Sequence, residues 1–186
     1  MTTYRQGQGY RIKSVIADPD NAKVGQVWYN STELKIKGKL IIPATWASGG
    51  NLGTARSALA GCGTQTAGLG FGGNAPPPTN NPVGNTEEYN GSSWSEQNDL
   101  NTARLGIGGA GTQTAALTFG ADPVSANTEL WNGSSWTEVA DLNTARDNAC
   151  SGGTQTAATI GGGTSGSNTA ITETWDNSSW TEDGDM

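Results

Sequence analysis

Three arginines and three glutamates recur at fixed places in this chain: Arg56, Arg104 and Arg146 in one set, Glu87, Glu129 and Glu173 in the other. Recurring charges of opposite sign can ring a polar channel, or they can pair inside each repeated unit. The second reading is favoured, because a repeat that copies both charges also copies their mutual satisfaction. Glycoside hydrolysis needs two carboxylates at one place; these acids are spread over equivalent positions instead. The chain has no histidine, which removes the commonest general base and metal ligand. Cys62 and Cys150 fall in different repeats at non-equivalent places, with no C-x-x-C. Both read as small buried apolar residues, not as a disulfide or a zinc site. The residues thus point to no enzyme, no catalytic set, no metal and no cofactor.

What must position these charges is a repeated phrase. Leu52–Arg56 reads LGTAR, and Leu100–Arg104 and Leu142–Arg146 both read LNTAR. Each is followed by a Gly-rich run and then Thr-Gln-Thr, at 64–66, 112–114 and 154–156. An SSW closes each unit, ending at Trp94, Trp136 and Trp180. Trp46 stands eight residues before Thr54, as Trp94 does before Thr102, so successive Trp intervals are 48, 42 and 44 residues. A period of about 40–50 residues indicates stacked supersecondary units, most often propeller blades. The sequence therefore divides into an N-terminal β segment, 1–45, and repeats over 46–186, running approximately 47–94, 95–136 and 137–180.

The first repeat reads as four strands. Ser57–Gly63 is a small-residue strand, and Ala67–Phe71 follows a polar turn and ends in Gly72-Gly73. A Pro-rich loop covers Asn74–Asn85, Thr86–Tyr89 is the third strand, and Ser92–Glu96 carries Trp94. Asn90-Gly91 predicts a type I′ hairpin. Small residues suit a crowded inner strand. Aromatics suit the space between adjacent sheets: Phe71, Tyr89 and Trp94, then Phe119, Trp131 and Trp136, then Ile160, Trp175 and Trp180.

The pattern L-N-T-A-R, apolar hairpin, Gly-Gly, then E-x-[YW]-N-G-S-S-W resembles the Kelch repeat. Arg56, Gly72, Gly73, Tyr89 and Trp94 match its signature, as do Arg104, Gly120, Trp131 and Trp136, and Arg146, Gly161, Gly162, Trp175 and Trp180. Repeat two departs with Ala121 for the second glycine. The resemblance implies an all-β fold of three four-stranded, Kelch-like β-propeller blades. The wording GTQTAAL…NGSSWTEVADLNTAR is similar to Kelch-like repeats in structural proteins of tailed, especially marine, bacteriophages. Val24–Thr32, VGQVWYNST, resembles β-hairpin modules of phage fibre and virion proteins. These resemblances imply a non-enzymatic virion component, a fibre, appendage or decoration protein, that docks to other virion proteins through residues 1–45. A carbohydrate-binding, lectin-like propeller that takes a host-surface glycan is the alternative. A Kelch-like copper oxidase would need His ligands, and this chain has none.

Charge is unevenly distributed. Residues 1–56 carry +5 and residues 57–186 carry −12, for a net −7, which suggests a docking head on a solvated body. Lys35, Lys37 and Lys39 alternate on one face of an N-terminal strand, within a hairpin of Gly25–Asn30 and Leu34–Leu40 that follows a strand at Tyr10–Ala17. Edge protection explains that stripe; the aromatic interleaving of a nucleic-acid site is absent. No apolar run approaches membrane-span length, and the N-terminus has no apolar signal region. Asn30, Asn90, Asn132 and Asn177 begin N-x-S/T sequons, the last three explained by hairpin turns.

The loops differ most between repeats: Asn74–Asn85, Ala121–Asn127 and Gly163–Ala170. The meander places them beside the LNTAR links, so Pro76, Pro77, Pro78, Asn80, Asn81, Asp122 and Ser165 form the candidate binding face. Unconstrained loops are the competing explanation. Closed propellers use about four to eight blades. Three blades, with Trp46 and Trp180 leaving neither end capped, imply a homo-oligomer. Dimer, trimer, and a degenerate fourth blade from residues 10–46 all remain open at this point.

Overall fold

The computed structural model describes residues 13–21, 26–38 and 47–186. Lys39 and Trp46, and the start of the Tyr10–Ala17 strand, lie outside the described residues. The chain divides into two compact units, Met1–Ala47 and Ser48–Met186. Among the described residues every regular element is a β-strand, and no helix there is long and apolar enough to cross a membrane.

The N-terminal unit holds β1 (Lys13–Val15), β2 (Val27–Asn30) and β3 (Lys35–Gly38) in that order. β2 and β3 form an antiparallel hairpin with Tyr29 opposite Ile36. β1 runs parallel to β2, with Val15 opposite Asn30. These strands form a mixed three-stranded sheet, so the described residues of this segment are not a four-stranded meander. Lys37 does not stand in an open basic stripe. It pairs with Asp18 and Glu33 at 2.6 and 2.5 Å.

The second unit is three antiparallel four-stranded sheets in succession. Sheet one has β4 (Ala60–Thr64), β5 (Ala67–Phe71), β6 (Thr86–Tyr89) and β7 (Trp94–Glu96). Sheet two has β8 (Gly108–Gly111), β9 (Ala116–Ala121), β10 (Ser125–Trp131) and β11 (Trp136–Glu138). Sheet three has β12 (Cys150–Thr154), β13 (Ala157–Gly161), β14 (Thr172–Trp175) and β15 (Trp180–Asp183). The Gly- and Ala-rich strands β4, β8 and β12 lie side by side. Without long side chains, three inner strands can crowd together.

Strand alternation gives each sheet a forward face, toward the next sheet, and a rear face. Leu69 and Phe71 share the forward face of sheet one. With Leu100, Ala116, Trp131 and Trp136 they fill the first junction. Leu117 and Phe119 do the same from sheet two, against Ala158, Ile160, Trp175 and Trp180. Burial of each large ring contributes roughly 1.5–3 kcal/mol.

The third repeat is in a different register from the one its apolar residues suggest. Phe71 pairs with Thr86 and Phe119 with Thr128, but the residue opposite Thr172 is Gly161. Ile160 instead pairs with Glu173 and packs toward sheet two. The glycines matching Gly72 and Gly73 are thus Gly162 and Gly163, not Gly161 and Gly162. Gly72, Gly120 and Gly162 share a left-handed φ of 63°, 70° and 66°. At Gly120 an added Cβ would lie 2.5 Å from the Arg146 carbonyl oxygen, so a side chain there would break the approach of the next linker.

Two further local features differ from the sequence reading. Tyr89 pairs with Trp94 and Trp131 with Trp136, so the hairpin loops hold four residues, not a two-residue type I′ turn. Asn90 and Asn132 cap them through Oδ1, which accepts from the next two serine N–H groups. In repeat three that role falls to Asp176, and Asn177 takes the left-handed position, φ 78°. Ser125–Asn127 is part of β10 rather than loop, leaving a tight connection at 122–124.

Candidate functional site

The recurring charges meet inside each sheet. Arg56 donates to Glu87 at 2.5 Å and Arg104 to Glu129 at 2.6 Å, and Arg146 pairs with Glu173. All six side chains are essentially buried. Each glutamate stands on the third strand of its sheet, and each arginine ends the linker that enters that sheet. The carboxylate also accepts backbone N–H groups of the linker: Gly53 and Thr54 on Glu87, Asn101 and Thr102 on Glu129, Asn143 and Thr144 on Glu173. A carboxylate so placed fixes the linker's backbone as well as its arginine. Burial alone would raise the Glu87 carboxyl; the Gly53 N–H, Arg56 and the Thr54 N–H overcome it and hold it below its ordinary range. Burial pulls the Arg104 guanidinium down, against the pull of Glu129.

Repeats two and three add a side chain to this knot. Asn101 Nδ2 donates to Glu129 and to the Trp136 carbonyl, and Asn143 does the same to Glu173 and the Trp180 carbonyl. The first repeat has Gly53 in that place and makes neither bond. Paired with each other and bonded to linker backbone, these buried charges brace the linkers, although the Nε groups of Arg56 and Arg104 are left buried without a partner. They present no ionised group to a substrate.

The junctions between sheets carry a second recurring set. Trp136 Nε1 donates to Thr86 Oγ1 at 2.9 Å, and Trp180 Nε1 to Thr128 Oγ1 at 3.2 Å. Trp136 meets Phe71 edge-on at 5.0 Å, and Trp180 meets Phe119 at 4.8 Å. Gln113 Nε2 donates to the Gly68 and Tyr89 carbonyls, and Gln155 Nε2 to those of Ala116 and Trp131. Sequence reasoning missed the glutamines, although the invariant Thr-Gln-Thr marks them.

The candidate loop residues, Pro76, Pro77, Pro78, Asn80, Asn81, Asp122 and Ser165, are all exposed. Each loop is pinned at its base to its own linker through the bridges Ser57–Asn74, Leu105–Asp122 and Asp147–Thr164. These loops and the linkers therefore share one edge of the repeat unit. Among the described residues, no cluster of three or more His, Cys, Asp or Glu could hold a metal. Cys62 is partly buried, with Sγ 3.3 Å from the Thr112 carbonyl, and burial pushes its thiol up to about 12. Cys150 is exposed, contrary to the buried reading, because it stands on the forward face of β12, which neither of the other two repeat sheets covers.

In the N-terminal unit, Asp18 accepts hydrogen bonds from Trp28 Nε1, Asn30 Nδ2 and Lys37 Nζ. Lys37, Asn30 and Trp28 together lower its carboxyl to about 2. The same contact, with Glu33, raises Lys37.

No protein-family model matches this chain, and no curated protein matches it.

Proposed function

We propose that this chain is a non-enzymatic structural protein of a phage virion, a fibre, appendage or decoration component built on Kelch-like β-propeller blades. Its N-terminal segment docks to other virion proteins, and the loops at one edge of the blades face solvent or a host surface. The observation that carries the reading is where the repeated charges are spent. Every recurring Arg–Glu pair is buried, and each glutamate is bonded to the backbone of its own linker, while the side chains that vary are the exposed loops. That division suits a display scaffold. The virion assignment itself draws on the resemblance of the repeat wording to phage structural proteins.

A lectin-like role is the second reading, supported by the exposed Asn80, Asn81 and Asp122 on a pinned edge. Immunogold imaging of purified particles with antibody against this chain tests the first reading. Label on tail or capsid surfaces is the expected result, and unlabelled particles refute it. A glycan array tests the second: binding lost on Asn80→Ala with Asn81→Ala supports it, and no binding refutes it.

A further inference from the structure

The two internal junctions define what each sheet asks of its neighbours. A rear face brings a Trp indole N–H and a Gln amide. The forward face ahead of it supplies a Thr hydroxyl, two backbone carbonyls and a leucine from the linker. At the two ends of the series the same groups stand without their complement among the described residues.

On the rear face of sheet one, Gln65 is exposed and makes no hydrogen bond among the described residues, where Gln113 and Gln155 each bridge two carbonyls. Trp94 is only partly buried there, whereas Trp136 and Trp180 are each 5 % exposed. On the forward face of sheet three, Thr172 Oγ1 is buried with no partner, in the position where Thr86 and Thr128 accept an indole N–H. Met186 occupies the place of Leu100 and Leu142. Its N–H donates to the Ala170 carbonyl as theirs do to Gly84 and Ala126. Yet Met186 is 75 % exposed, against 6 % and 5 % for the leucines.

We propose that the rear face of sheet one docks on the forward face of sheet three of a second copy of this chain. Trp94 donates to the partner copy's Thr172, Gln65 bridges the carbonyls of its Ala158 and Trp175, and its Met186 seats against Leu59 and Trp94. The reciprocal joint forms at the other end, so two copies close head to tail. Two copies supply six sheets, within the roughly four to eight that closed propellers use. This stoichiometry rests on the propeller reading above; the joint itself does not.

The joint is weaker than the internal ones. Sheet three has Thr159 where sheets one and two have Leu69 and Leu117, and Gly161 where they have Phe71 and Phe119. The hydrogen-bonding complement is kept while apolar area is given up, which suits a reversible contact between copies. Trp180 faces inward, toward sheet two, so the face beyond it is not the apolar one expected from Trp180 but is largely threonine and glycine.

Sedimentation velocity on the full chain, at a series of micromolar concentrations, tests the pairing. Gln65→Glu turns a carboxylate toward two carbonyls, and Thr174→Lys puts an ammonium on the exposed forward face of sheet three. Neither side chain is buried, so both variants keep the wild-type melting profile of a monomer. The wild type sediments as a dimer, and each variant alone as a monomer. An equimolar mixture returns to the dimer, because one joint is then native and the other brings opposite charges together. Thr172→Val, which removes only the acceptor, raises the dimer dissociation constant about thirtyfold, as loss of one hydrogen bond of about 1 kcal/mol in each of the two joints does. A monomeric wild type, a species larger than a dimer, a dimer indifferent to both variants, or a mixture that stays monomeric would each overturn the proposal. Particle labelling reads none of these outcomes, so failure of the virion assignment remains a separate result.

Discussion

The indole N–H of Trp136 donates to the hydroxyl of Thr86 across 2.9 Å, fifty residues apart in the chain and on neighbouring sheets. Because Phe71 meets the same indole edge-on, one tryptophan is both the polar pin and the apolar wedge of the first junction. Polar and apolar contacts between the two sheets thus converge on one side chain, beside Leu69, Leu100, Trp131 and Gln113 in the same junction.

Trp136→Ala should cost about 3–5 kcal/mol, as for a fully buried aromatic. Trp94→Ala should cost visibly less in monomeric protein, since among the described residues the one ring that meets Trp94 is Tyr89, at 5.0 Å, and Trp94 is only partly buried. Asp122→Ala, on an exposed loop, should stay within about 0.5 kcal/mol. Urea midpoints in the Thr174→Lys background rank the three, and any other order would contradict the assigned register.

Glu129→Gln leaves the Arg104 guanidinium buried without its counter-charge and should destabilise by about 3–5 kcal/mol. The reverse experiment is more discriminating. Gly53→Asn installs in repeat one the amide that Asn101 and Asn143 supply elsewhere. The backbone at Gly53 is not left-handed, and the nearest atom to an added Cβ is the end of Glu87, at 3.2 Å. Stabilisation of about 1 kcal/mol is expected from the added hydrogen bonds and reduced chain entropy. A lower melting temperature would show that the linkers are not equivalent.

Asp18 gives the N-terminal unit its own acid sensitivity. Its carboxyl lies at about 2 in the folded state against an ordinary 3.8, so its stabilisation is complete above the ordinary value. It is lost as pH falls from 3.8 toward about 2. The Trp28 indole N–H resonance, followed by NMR, should shift through that window. Asp18→Asn should abolish the titration, and an unshifted wild-type resonance would separate Asp18 from Trp28.

The two thiols should separate kinetically. Cys62, with its thiol pushed up to about 12 by burial, resists maleimide until the chain is unfolded. Cys150 reacts in the native protein, and faster in Gln65→Glu than in wild type if a second copy covers β12. Mass spectrometry of timed quenches distinguishes the sites. Equal rates at Cys62 and Cys150 would overturn the assignment of their environments.

The repeat is legible in the sequence because its punctuation is polar and local. LNTAR, Thr-Gln-Thr and SSW each mark a turn or linker whose geometry a few residues determine. The register of repeat three is not legible. Three consecutive glycines, Gly161 to Gly163, allow a one-residue slide, and the only nearby large apolar residue, Ile160, draws the alignment to the wrong face. The partners of Gln113 and Gln155 are likewise hidden, since they are carbonyls of another repeat and carry no side-chain signature. Asp176 is missed for a related reason: Asp and Asn offer the same Oδ1 to a turn, and the sequon pattern points one residue too far, to Asn177.

The bridges Ser57–Asn74, Leu105–Asp122 and Asp147–Thr164 hold loops as unlike as 74–85 and 122–124 at equivalent stems. What lies beyond a stem is therefore mechanically insulated from the sheets. Insertions at this edge can be sampled one loop at a time, each new surface appearing on an unaltered frame. A lineage under pressure to change what it touches can vary Pro76 to Asn81 without first finding a compensating change at Phe71 or Trp136.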